Sequence, residues 1–125
     1  MPSITLVIGL PGSGKSHLLN SMTGYVIDDI KSIEQLIQTN DDIIISDVNF
    51  CDNRVLRISV EMLQKRYPDH SFSFIYFENA PDKCRKNVVY RNDGRNVEGT
   101  IRKFEKIYNP PLDARIIWVD TSSES

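Results

Sequence analysis

At 125 residues, 40% hydrophobic and 26% charged, the chain is long enough for one compact domain with its own apolar core, and too ordinary for a collagen-like, low-complexity or disordered protein. Its longest apolar stretch, residues 4–10, is broken by Thr5 and Gly9 and has no basic segment before it, so neither a membrane span nor a signal peptide is expected. The net charge of −2 is unevenly spread: residues 1–50 carry two bases against six acids, and residues 81–106 carry eight bases against four, which fits an anionic ligand or a solvated helical face.

The body reads as alternating strands and helices. Residues 4–8 are a β-branched run ending at Gly9, the pattern of a central parallel strand covered on both faces. Leu18, Leu19 and Met22 give a short helical stripe. Residues 25–27 predict a brief second strand ending at Asp28-Asp29, and Ile30, Ile33, Leu36 and Ile37 predict a helix that Asp41-Asp42 breaks. Residues 43–45 predict a third strand ending at Ser46-Asp47.

Val55, Ile58, Met62 and Leu63 then show helical spacing, up to the stop at Tyr67-Pro68-Asp69. Residues 72–77 predict the fourth strand, and Pro81 opens a basic helix running to about Tyr90. Residues 91–96 carry turn chemistry. Val97, Ile101, Phe104 and Tyr108 mark another helix, stopped by Asn109-Pro110-Pro111, and residues 116–119 predict the fifth strand. Strands alternating with helices argue for an α/β three-layer fold, a five-stranded parallel sheet with helices on both faces. Residues 1–120 form the single domain and residues 121–125 a polar, fraying tail. Cys51 and Cys84 have no metal-ligand spacing and read as two half-buried thiols of a reducing, cytoplasmic compartment.

The chemistry begins at Gly9-Leu10-Pro11-Gly12-Ser13-Gly14-Lys15-Ser16, a full G-x-x-x-x-G-K-[ST] match between a strand and a helix. Glycines at 9, 12 and 14 let backbone N–H groups turn around an anion, and the helix start adds a favourable dipole. Gly9, Pro11, Gly12, Ser13, Gly14, Lys15 and Ser16 are therefore expected to bind the phosphates of a nucleoside triphosphate. Lys15 reaches the β- and γ-phosphates, and the Ser16 hydroxyl joins Mg²⁺. His17, next in line, either stacks on or hydrogen-bonds the nucleotide or simply covers the helix surface.

Asp47 follows an apolar strand, at the carboxyl end where ligands gather in a parallel sheet, and comes beside the phosphate loop if that strand neighbours the first. It is a second candidate for Mg²⁺, or else an N-cap. Asp28 and Asp29 also end a strand. One of them is placed to orient an acceptor hydroxyl and take its proton, since side chains alternate faces; otherwise both are turn acids. Arg91 and Arg95 flank a loop with Asp93-Gly94, as a closing lid would require, with Arg85 on the helix before it. The alternative for these arginines is a solvated basic face.

Together these residues resemble the P-loop kinase superfamily, and most specifically the kinase domain of phage polynucleotide 5′-kinases. The likeness rests on residues 8–16, Asp28-Asp29, Ser46-Asp47-Val48-Asn49 and Arg91-Asn92-x-x-Arg95. It implies an ATP- and Mg²⁺-dependent transfer of the γ-phosphate to a hydroxyl, most specifically the 5′-OH of a polynucleotide or nucleotide. It implies Asp28 as general base, Lys31, Asp47 and Asn49 on the substrate side, and Arg95, seconded by Arg91, on the transferring phosphoryl group. A phage-type origin would place the protein in the host cytoplasm, with no membrane partner and an oligomeric state left open.

The chain departs from that family in one respect. Polynucleotide kinases carry a long helical segment between the second and third strands, whereas about 13 residues separate Asp29 from Ile43 here. Lys31 also stands where the family has an arginine, which removes a bidentate fork. Two other readings therefore stand beside the first: a small-metabolite kinase of the same superfamily, and a nucleotide-binding regulatory protein with little turnover.

Overall fold

The computed structural model describes residues 2–28, 41–91 and 97–119, with the backbone alone at Asp28, Tyr90 and Arg91. In chain order these form β1 (Ser3–Ile8), α1 (Lys15–Asn20), β2 (Tyr25–Asp28), β3 (Ile43–Ser46), a 3₁₀ turn (Val48–Cys51), α2 (Asn53–Arg66), β4 (Ser71–Phe77), α3 (Pro81–Arg91), α4 (Glu98–Glu105) and β5 (Ile116–Ile117). The predicted helix over residues 30–37 lies outside the described residues.

The strands form one parallel sheet in the order β2-β3-β1-β4-β5. The β1–β2 connection runs to one side of β1, and the β3–β4 and β4–β5 connections run to the other. Right-handed crossovers then put α1 on one face and α2, α3 and α4 on the opposite face. Strand β1 lies at the centre, where Ile4, Leu6, Val7 and Ile8 are fully buried. Each such side chain stabilises the fold by roughly 2 kcal/mol.

Register aligns Ile4, Leu6 and Ile8 with Phe72, Phe74 and Tyr76 on one face. The other face is apolar only towards the strand ends. Nearer the strand starts, the Thr5 and Ser73 hydroxyls hydrogen-bond at 3.0 Å in an exposed position. The expected full cover of β1 on both sides therefore holds for its C-terminal half, and its N-terminal half presents hydroxyls to solvent on one side.

Two elements differ from the sequence expectation. Helix α2 buries Leu56 and Leu63, with Val60 packed beside them, and leaves Ile58 64% exposed. Of the predicted stripe only Leu63 faces the core. The helix has apolar residues on two sides, and docking against the sheet chose the stripe of 56, 60, 63 and 67. Strand β5 stops at Ile117, two residues early. Its partner β4 ends at Phe77, and the Val119 N–H turns to the Glu78 carboxylate at 2.8 Å. Helix α4 follows expectation, burying Ile101 and Phe104, with Tyr108 buried beyond its end.

Candidate active site at the C-terminal ends of the strands

The loop after β1 is shaped by its own sequence. Ser13 N–H donates to the Leu10 carbonyl at 3.1 Å, closing a turn with Pro11 and Gly12 at its centre. Proline sets the first central residue and Gly12 supplies φ +84° at the second, the requirement of a type II turn. An added Cβ at Gly12 would sit 2.4 Å from the Cys84 carbonyl, so helix α3 abuts the loop too closely for any side chain. At Gly9 an added Cβ would meet the Ser13 Oγ at 2.7 Å. Gly14, with φ +103°, then turns the chain into α1.

Lys15, in the first turn of α1, folds back over this loop and donates to the carbonyls of Gly9 and Leu10 at 2.7 and 2.9 Å. Ser16 and His17 follow, both exposed, in the turn whose N–H groups have no intrahelical acceptor. The Ser13 hydroxyl is buried without a hydrogen-bond partner among the described residues. The Lys15 ammonium and the first-turn N–H groups of α1 form a donor set suited to an anion with several oxygens.

Strand β3 neighbours β1, so Asp47 comes out beside the loop. Asp47 is 7% exposed. Its Oδ1 accepts from Asn49 N at 2.9 Å and from Asn49 Nδ2 at 3.0 Å. Asp47 is therefore the N-cap of the 3₁₀ turn, and Asn49 bends back onto it. Its second oxygen has no hydrogen bond among the described residues. The Ser46 hydroxyl, fully buried, likewise has no partner among them. A hydroxyl at Ser16 and a carboxylate at Asp47 are hard oxygen ligands that fit Mg²⁺ held mainly by phosphates and water. No cluster of three or more His, Cys, Asp or Glu side chains capable of holding a metal occurs among the described residues.

The backbone of Asp28 ends β2 and pairs with Ser46, one strand beyond Asp47. Asp29, Lys31 and Arg95 lie outside the described residues, as do Asn92, Asp93 and Gly94. Arg91 is the last residue of α3. Arg85 turns away to α4: its Nε lies 3.0 Å from both Glu98 carboxylate oxygens, with Glu105 at 3.2 Å and Asp82 at 3.3 Å. The Glu98 and Glu105 hydrogen bonds raise its pKa, and the Arg85 bond lowers that of Glu98. Lys83 pairs with Glu78 at 3.0 Å and Arg102 with Glu98 at 3.5 Å. Arg85, Arg102 and Lys83 are thus paired with acids of the protein itself.

The sequence reading missed several side chains beneath the loop. Asn87 Nδ2 donates to the Gly12 carbonyl at 2.8 Å. The Tyr108 hydroxyl bridges the carbonyls of Phe77 and Ile8, tying the ends of β4 and β1 where the loop begins. The two thiols are fully buried, a correction to the half-buried expectation. Burial pushes Cys51 up to about 12 and Cys84 to about 11, against a partial counter-pull from the Lys15 charge. The one signal for Asn87 was a polar residue on the stripe of Cys84 and Val88.

No protein-family model matches the chain. An uncharacterised protein of Acanthamoeba polyphaga mimivirus is 29% identical over 103 residues, spanning 74% of this chain and 75% of that protein. Among solved structures, a gluconokinase from Sinorhizobium meliloti 1021 superposes with a TM-score of 0.64 over 97% of this chain and 83% of its own, at 13% identity. That likeness establishes the fold: the parallel sheet and its helices are arranged as in that gluconokinase. No helix among the described residues is long and apolar enough to cross a membrane.

Proposed function

We propose that the chain is an ATP-dependent phosphotransferase that moves the γ-phosphoryl group to an alcohol. The observation that carries this is the loop itself. The turn at Pro11-Gly12, the Lys15 ammonium over it and Asp47 one strand away are assembled at the strand ends. Transfer of a phosphoryl group is catalysed by positioning and charge stabilisation, and these are the parts it needs. Gly9, Pro11, Gly12, Ser13, Gly14, Lys15 and Ser16 cradle the phosphates, with His17 at the margin. Ser16 and Asp47 would hold Mg²⁺, which would supply positive charge against that of the phosphates.

In this reading Asp28 takes the acceptor proton, Lys31 and Asn49 lie on the acceptor side, and Arg95 with Arg91 offsets charge on the moving group. The resemblance of Ser46-Asp47-Val48-Asn49 and Arg91-Asn92-x-x-Arg95 to polynucleotide kinases favours the 5′-OH of a polynucleotide or nucleotide as acceptor. A second reading, a small hydroxyl acid or similar metabolite, is favoured by the short β2–β3 connection and by the near-complete superposition on a gluconokinase.

The test is transfer of labelled γ-phosphate from ATP with Mg²⁺ to three acceptors in parallel: a 5′-OH oligonucleotide, a nucleoside 3′-phosphate and gluconate. Labelled product with either of the first two supports the first reading, and product with gluconate alone supports the second. Tight ATP binding with no transfer to any of them would favour a regulatory binder.

A further inference from the structure

We infer that Asn87 is a positioning residue for the phosphate loop: its side-chain amide holds the Gly12 carbonyl on the side of α3, while the Ser13 N–H of the same peptide closes the turn onto the Leu10 carbonyl, so that the loop keeps one shape. The inference rests on reading the loop as a triphosphate site and adds a residue from a distant helix to it.

The contact is 2.8 Å long and joins residues 75 positions apart. A carbonyl only accepts, so the atom facing it is the amide nitrogen. Asn87 is 7% exposed, and burying an amide costs free energy unless it is hydrogen-bonded. A leucine would fill the space between helix and loop without that cost. What the amide adds is direction.

Direction matters at Gly12 because glycine resists a peptide flip less than any other residue. Flipping the 12–13 peptide would break the Ser13 N–H bond to the Leu10 carbonyl, set the Gly12 oxygen towards the Leu10 oxygen and so open the turn that shapes the cradle. Asn87 gives the Gly12 oxygen a partner on the opposite side. The donor is itself held firmly. Cys84, one turn earlier on α3, presents its carbonyl against Gly12, and Val88 Cγ2 lies 3.0 Å from where a Gly12 Cβ would be. The Arg85 bonds to Glu98 and Glu105 fasten α3 to α4. The loop therefore leans on a braced helix, and Asn87 is the polar peg between them.

The experiment is calorimetric titration of MgATP and of inorganic tripolyphosphate into the full chain at pH 8, for wild type, Asn87→Leu, Asn87→Asp and Lys15→Ala. Asn87→Leu is expected to weaken both probes by the same factor, about 3–10-fold, the scale of one hydrogen bond. Asn87→Asp keeps the side chain's size but replaces the donor by a negative acceptor, and it should weaken both probes more. Because a buried carboxylate facing the Gly12 carbonyl has no donor to meet, Asn87→Asp should also lower the ligand-free melting temperature. Should Asn87→Asp fail to fold, Asn87→Leu carries the test, and tripolyphosphate binding as tight as wild type in that variant overturns the inference. Asn87→Asp binding tripolyphosphate as tightly as wild type would overturn the inference. A loss confined to ATP would also overturn it, because the effect would then lie outside the cradle. If wild type binds both probes and Lys15→Ala loosens them while Asn87→Asp does not, only the role of Asn87 fails. If wild type binds neither, the triphosphate reading fails with it.

Discussion

The ammonium of Lys15 donates to the carbonyl of Gly9 at 2.7 Å, so the lysine of the phosphate loop is tied to the loop's first residue. One side chain thereby brings a positive charge to the cradle and helps to close it.

Replacing Lys15 by alanine removes the charge and both carbonyl contacts. A hydrogen bond to a charged group is worth about 1.5–3 kcal/mol. Lys15→Ala is expected to weaken ATP binding by about 10–100-fold and to abolish phosphoryl transfer. Calorimetry and a labelled-phosphate assay check this together. Unchanged affinity with turnover intact would sink the reading of the loop.

Asp28 ends β2 in register with Ser46, next to the strand that delivers Asp47. A general base acts on the chemical step and leaves nucleotide binding alone. Asp28→Asn is expected to cut turnover by about 10²–10⁴-fold with ATP affinity near wild type. Asp29→Asn should do less. A reversed order in the steady-state rates would exchange the two roles.

Arg95 separates the kinase from the binder. Charge on the γ-phosphoryl group in flight is greatest in the transition state, so a contact made mainly then changes turnover more than affinity. Arg95→Ala should lower turnover by at least about 10²-fold and move the ATP dissociation constant only a few-fold. Arg91→Ala should show the same pattern, more weakly. Equal losses in both quantities would make Arg95 a ground-state clamp, and no loss in either would favour the binder.

The buried thiols set a limit on the alkaline side. Unfolded cysteine releases its proton near 9, whereas Cys51 in the fold holds its own to about 12 and Cys84 to about 11. The folded state therefore binds more protons across that window, and stability falls as pH rises through it. It is full below pH 9. Each thiol contributes a slope of up to about 1.4 kcal/mol per pH unit. Urea midpoints measured from pH 8 to 11 should decline, and Cys51→Ala should make the decline shallower. A flat profile in wild type would contradict the burial of both thiols.

What was legible in the sequence was what neighbouring residues decide. The strand-turn-helix around Gly9 to Ser16 is contiguous, and Pro11, Gly12 and Gly14 dictate its dihedral angles locally. The same holds for the apolar run of β1 and for the stripe of Ile101, Phe104 and Tyr108. Alternation of strands and helices was enough to argue a parallel sheet. Even Asp47 beside the loop needed only the added condition that β3 neighbour β1.

Tertiary structure decided whatever depends on partners far along the chain. Which side of α2 faces inward was settled by docking on the sheet, because Ile58 and Leu63 are equally apolar as letters. Where β5 stops was settled by the end of β4. Asn87 meets Gly12 across 75 positions and Tyr108 meets Ile8 across 100. No local preference encodes such contacts. They exist because burial leaves an amide or a hydroxyl costly until it finds a partner, and the only partners within reach are those that the folded sheet has already brought there.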